Sequence, residues 1–129
     1  MLAPIERGEA DVVIGSRVLG HAAPGSLTAQ QRVGNWLACS LIALRFGRRF
    51  TDLGPFRAIR RACLLELGLR DATFGWNVEM QLNALNTGLR IVEVPVRYRP
   101  RIGRSKISGT ILGTIRVGFG ILGMILKHW

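Results

Sequence analysis

The alternation of apolar and polar positions divides the chain into short extended segments and longer helical ones. Residues 10–16, Ala-Asp-Val-Val-Ile-Gly-Ser, form a β-branched run closed by small residues, as in a buried strand of a parallel sheet that ends in a loop. A Pro/Gly-containing loop at 21–26 precedes Val33, Trp36, Leu37, Leu41 and Leu44, whose spacing predicts an amphipathic helix over about 27–46. The Gly47 to Pro55 stretch breaks that helix, after which 56–59 reads as a short strand and 60–67 as a helix. Residues 71–76 read as a loop. Asn77 is placed to cap a helix through Asn86 that stops at Gly88, with Glu79, Asn83 and Asn86 on one face and Val78, Leu82 and Leu85 on another. From Arg90 to Arg99, Val92, Val94, Val96 and Tyr98 alternate with Glu93, Arg97 and Arg99, predicting a half-buried strand that Pro95 assigns to an edge or a bulge.

The segment 107–126 is about as long as a membrane-spanning helix, but it contains Arg116 and five glycines. Its stripe of Ile111, Ile115, Phe119, Leu122 and Leu126, followed by Lys127, His128 and Trp129, predicts a helix lying on a bilayer. A helix packed on the core of the same domain is the alternative.

Charge narrows the partners. Eighteen basic against 8 acidic residues give +10 over 129 residues, a balance that suits a polyanion: nucleic acid, anionic lipid or a phosphorylated substrate. The length allows one domain or part of one. Cys39 and Cys63 lie in apolar helical patterns without metal-type spacing, so buried reduced thiols and a cytosolic face are expected. The first ten residues carry Glu6, Arg7 and Glu9 and have no signal-peptide core, so export is not expected.

The densest candidate chemistry lies at 94–106, where an extended apolar stretch runs into five cations, Gly103 and Ser105. Arginine forks and a lysine charge around a glycine that admits close backbone approach form a phosphate-binding loop. Arg17 follows the strand at 10–16, at the sheet edge where open α/β folds bind ligands. Arg32 and Asn35, three apart, share a helix face. Asp52 is a loop carboxylate among turn formers.

Five segments, taken in order, resemble one family. Residues 10–17 (ADVVIGSR), 52–61 (DLGPFRAIRR), 74–80 (FGWNVEM), 90–96 (RIVEVPV) and 103–106 (GRSK) are similar to the second half of a family 2 glycosyltransferase, in the polyprenyl-phosphate (dolichyl-phosphate mannosyltransferase-like) branch. The resemblance implies an α/β chain forming part of a GT-A (nucleotide-diphospho-sugar transferase) fold: a mixed sheet with flanking helices over 1–106, followed by a C-terminal apolar helix at 107–129 on the membrane surface. It implies transfer of a sugar from a nucleotide sugar to a polyprenyl or other lipid phosphate at the cytoplasmic membrane face. Arg17, Arg32, Asn35 and Arg57 would bind the acceptor phosphate. Asp52 and Glu79 would be the catalytic carboxylates, and Arg101, Ser105 and Lys106 would hold the donor diphosphate. The complete family domain uses a divalent ion, Mg or Mn, on an Asp-x-Asp motif that this sequence lacks, so the chain alone is expected to be inactive and to need a missing N-terminal half or a homo-oligomer.

Two other readings compete with this one. A nucleic-acid-binding basic module would explain the charge, but only Tyr98 is close enough to the basic loop to stack on bases, which disfavours nucleic acid. The other is a catalytically inactive membrane-associated remnant.

Overall fold

The computed structural model describes residues 1–72, 75–100, 102 and 111–127, with side chains for all of these except 111–117. A short helix α1 (Ala3–Glu6), absent from the sequence reading, leads into strand β1 (Val12–Ser16). Helix α2 (Ala29–Phe46) follows, then strand β2 (Arg57–Ile59), helices α3 (Arg61–Glu66) and α4 (Trp76–Asn86), strand β3 (Ile91–Pro95) and helix α5 (Ile111–Lys127). The strands form one mixed sheet of order β2-β1-β3. In it β1 pairs in parallel with β3, Val12 beside Ile91 through Ser16 beside Pro95, and antiparallel with β2, Val12 opposite Ile59. The chain is thus α/β, with flanking helices.

All five residues of β1 are buried, as expected of a central β-branched strand. Val12 and Ile14 pack into one cluster with Cys39 and Ile42 of α2, Leu82 of α4 and Ile125 of α5. Each such side chain stabilises the fold by roughly 1.5–3 kcal/mol relative to an exposed position. Pro95 lies at the end of β3, a strand with one paired side, where its missing N–H leaves no gap in a ladder.

Helix α2 starts with a full capping box: Gln31 N donates to Thr28 Oγ1 (3.2 Å), and Thr28 N donates to Gln31 Oε1 (2.9 Å). It ends at Gly47, whose φ of 66° is the left-handed stop that glycine adopts without strain. The face it buries is not its large apolar stripe. Ala38, Cys39 and Ile42 face the core, while Val33, Trp36 and Leu44 are 64%, 68% and 72% exposed. The apolar residues spread over more of the helix than its one packed face, which also takes in Leu41 and Phe46, so the rest of the stripe is left outside.

Helix α4 begins two residues earlier than predicted, with Gly75 at the cap position and no side-chain cap, so Asn77 does not cap it. Cys39 is buried as expected, but Cys63 is only half-buried, on a helix with no fully buried residue. In α5, Ile125 is fully buried and Ile121 and Met124 pack on the core, whereas Phe119 and Leu126 are exposed. This helix therefore packs on the domain through one face, as the alternative reading held. Among the described residues no helix is long and apolar enough to cross a membrane.

Candidate functional site

Where β1 ends, the chain turns away from the sheet in a loop that packs tightly against the exit of β3. Val96 N donates to Ser16 O (3.1 Å), Tyr98 N to His21 O (3.0 Å) and Ala23 N to Tyr98 O (2.9 Å). Gly20 sits so close that a Cβ there would lie 2.0 Å from the Val96 carbonyl oxygen. No side chain fits that position. The two strand exits thus form one packed unit, and Arg17 is its first residue beyond β1.

Arg17 is clamped by Asp52. Its backbone N–H donates to Oδ2 (2.8 Å), Nε to Oδ2 (2.7 Å) and Nη2 to Oδ1 (2.6 Å). The Asp52 side chain is fully buried and that of Arg17 is 16% exposed. The carboxylate raises the arginine's pKa further, so this cation stays charged at every accessible pH. The segment that holds Asp52 is fixed in turn by Glu93 on β3, whose carboxylate accepts from Thr51 N (3.0 Å), Thr51 Oγ1 (2.9 Å) and Asp52 N (3.1 Å). Asn35 bridges from α2, donating to Thr51 O (2.8 Å) and accepting from Leu53 N (2.9 Å). Ser16 completes the frame through its hydroxyl contact with Thr51 Oγ1 (2.7 Å).

An open cleft of about 1060 Å³ lies between this frame and α2. Arg17, Arg32, Asn35 and Asp52 all line it, four residues that sequence reasoning assigned to the site. Trp36 and Leu44 give the same cleft an apolar wall along α2. Cys39 lies on its floor, and burial together with the fields of Asp52 and Glu93 pushes that thiol up to about 12, so it remains protonated.

Arg57 stands behind the cleft rather than in its wall. Its Nε donates to Gly54 O (2.9 Å) and Nη1 to Asn77 O, while its buried Nη2 has no hydrogen-bond partner among the described residues. Burial lowers its pKa to about 10, against the field of Asp52, and it is still a cation at neutral pH. Glu79 lies elsewhere. Its buried carboxylate accepts from Arg70 N (3.1 Å) and Asp71 N (2.8 Å) and borders a separate hollow of about 490 Å³ with Asn83 and Lys127. Asp52 and Glu79 are thus not brought together in one cleft. Arg101, Ser105 and Lys106 lie outside the described residues. Among the described residues no three His, Cys, Asp or Glu side chains converge to hold a metal ion.

Sequence reasoning missed Glu93, Thr51 and Tyr98. The available signal for Glu93 was a carboxylate on a strand otherwise made of Ile, Val and Pro. Tyr98 was legible only as an aromatic beside the basic loop, because its contact with Arg17 spans a sequence distance that no local spacing encodes.

No family profile and no solved structure matches the chain. Among curated proteins it is 36% identical over 118 residues to an uncharacterized glycosyltransferase of Mycobacterium tuberculosis, covering 89% of this chain and 52% of that protein. It is 35% identical over 102 residues to glycosyltransferase AglJ of Haloferax volcanii (78% of this chain, 33% of the relative). It is also 31% identical over 109 residues to an undecaprenyl-phosphate mannosyltransferase of Micrococcus luteus (81% and 45%). The chain spans about half the length, or less, of the curated relatives it matches. The resemblance carried by the five segments is borne out, and the chain belongs with these glycosyltransferases, corresponding to part of one.

Proposed function

We propose that this chain is the acceptor-side part of a family 2 glycosyltransferase of GT-A architecture, moving a sugar from a nucleotide donor to a polyprenyl or similar lipid phosphate at the cytoplasmic membrane face. The observation that carries the reading is the gathering of Arg17, Arg32 and Asn35 in one cleft whose other wall is apolar. A phosphate monoester with a hydrocarbon tail matches both halves of that surface. The relatives' names support the sugar-transfer chemistry, and that of the Micrococcus luteus protein includes a polyprenyl phosphate acceptor.

A phosphate acceptor is already ionised, so attack on the anomeric carbon needs no general base. This accords with Asp52, whose two oxygens are both taken by Arg17. Asp52 therefore serves by positioning the cation, not by removing a proton. Arg17 and Arg32 draw the acceptor into place, and Arg57 adds positive field from behind. Glu79 orders the loop at 70–71. Arg101, Ser105 and Lys106 are the proposed partners of the donor diphosphate, stabilising the charge that grows on the leaving group. A divalent ion, if the complete enzyme uses one, would neutralise that same charge, and the described residues supply no ligand set for it.

The exposed stripe of α2, with Trp36 and Leu44 beside the cleft and Arg32, Arg48 and Arg49 around it, suits an anionic bilayer surface. Titration of the chain with farnesyl phosphate, farnesol and inorganic phosphate tests the reading. Binding should be tightest for farnesyl phosphate and at least tenfold weaker for farnesol. Equal affinity for farnesol and farnesyl phosphate, or salt-sensitive binding of oligonucleotides with none of farnesyl phosphate, would overturn it.

A further inference from the structure

We propose that Tyr98 is a positioning residue for Arg17, fixing the guanidinium plane so that the edge not gripped by Asp52 points into the cleft. The inference rests on the reading of that cleft as a lipid-phosphate site. A guanidinium has two edges that can grip an oxyanion with paired N–H donors. In Arg17 the Nε–Nη2 edge is filled by Asp52, which leaves the Nη1–Nη2 edge for an incoming phosphate. A carboxylate fork fixes one edge in its plane but resists rotation about the fork only weakly. The Tyr98 ring lies under the guanidinium carbon at 5.4 Å from the ring centroid and closes off one face.

Tyr98 does not line the cleft, so any effect it has on a ligand passes through Arg17. Its backbone is anchored to the same loop that carries Arg17, by the paired bonds with His21 and Ala23 and the parallel bridge to Ala22. The close approach of Gly20 to Val96 holds the two segments together. Ring and guanidinium are therefore carried on one packed unit rather than on two independent loops. The ring lies against the guanidinium and the hydroxyl also acts on it as a hydrogen-bond partner, so phenylalanine should keep the ring's share of the positioning and lose the hydroxyl's.

The test uses the 129-residue chain with farnesyl phosphate as the probe, in wild type, Tyr98→Phe, Tyr98→Leu and Arg17→Lys. The Arg17 Nε–H resonance, identified by its loss in Arg17→Lys, reports the stacking without any ligand. It should move by a ring-current shift in Tyr98→Leu and by less in Tyr98→Phe, which keeps the ring. Farnesyl phosphate should bind Tyr98→Leu about fivefold more weakly than wild type, and Tyr98→Phe with an affinity between the two, with unfolding midpoints showing both variants folded. An Arg17 signal and an affinity both unchanged in Tyr98→Leu, while Arg17→Lys weakens binding, would overturn the inference and leave the reading of the cleft standing. Failure of the wild-type chain to bind farnesyl phosphate at all would overturn that reading and the inference with it.

Discussion

Arg17, Asp52 and Glu93 are linked so that each charge is held by the next: Glu93 orders Thr51 and Asp52, and Asp52 grips Arg17. Removing the central member leaves a largely buried guanidinium without its counter-charge. Asp52→Ala should therefore destabilise the chain by about 3 kcal/mol, read as a lower urea midpoint. A second carboxylate reports on pH. Paired N–H donors of Arg90 hold the Asp11 carboxyl down at about 2 from an ordinary 3.8. A lowered folded-state value gives stability that is complete above the ordinary value and disappears as pH falls through the folded one. Asp11→Asn should cost roughly 1 kcal/mol at neutral pH, since Arg90 is largely exposed, and the gap from wild type should close between roughly pH 4 and 2. A gap constant over that window would contradict the assignment. At this scale the sequence revealed which residues were polar and where they stood, so Arg17, Arg32, Asn35 and Asp52 were legible as site candidates. It could not reveal that Asp52 is spent on Arg17, because that pairing spans 35 positions and depends on the packing of two loops.

The elements were legible because their periodicity and their stop signals agree. Strand β1 and helix α2 with its glycine stop follow from local pattern, and so does the presence of β3, although it ends at Pro95 where the alternation predicted a strand through Arg99. What pattern could not give was the buried face of α2, since its apolar residues cover more of the helix than the sheet can. Two predictions separate the structural from the functional residues of this helix. Thr28→Ala removes the capping box and should lower stability by about 1 kcal/mol, without changing lipid binding. Trp36→Glu removes a ring that is 68% exposed and should leave the thermal midpoint within about 2 °C. The same change should reduce co-sedimentation with phosphatidylglycerol vesicles severalfold. A large loss of stability in Trp36→Glu would mean that the stripe packs against protein rather than facing a bilayer.

For the whole molecule, the three-stranded sheet and the helices on it make a platform whose strand exits carry a basic cleft and whose helix α2 turns an apolar stripe outward. The strong positive charge fits that geometry as a source of attraction for an anionic surface and for a phosphate head group. Mapping farnesyl phosphate onto the chain by amide chemical shifts tests the central claim most directly, because it locates the ligand as well as detecting it. The account predicts saturable shifts concentrated at Arg17, Arg32, Asn35 and Thr51, abolished in Arg32→Ala, whose exposed side chain makes it a variant that should fold normally. Shifts centred instead on the hollow beside Glu79 and Lys127, or unchanged in Arg32→Ala, would contradict it.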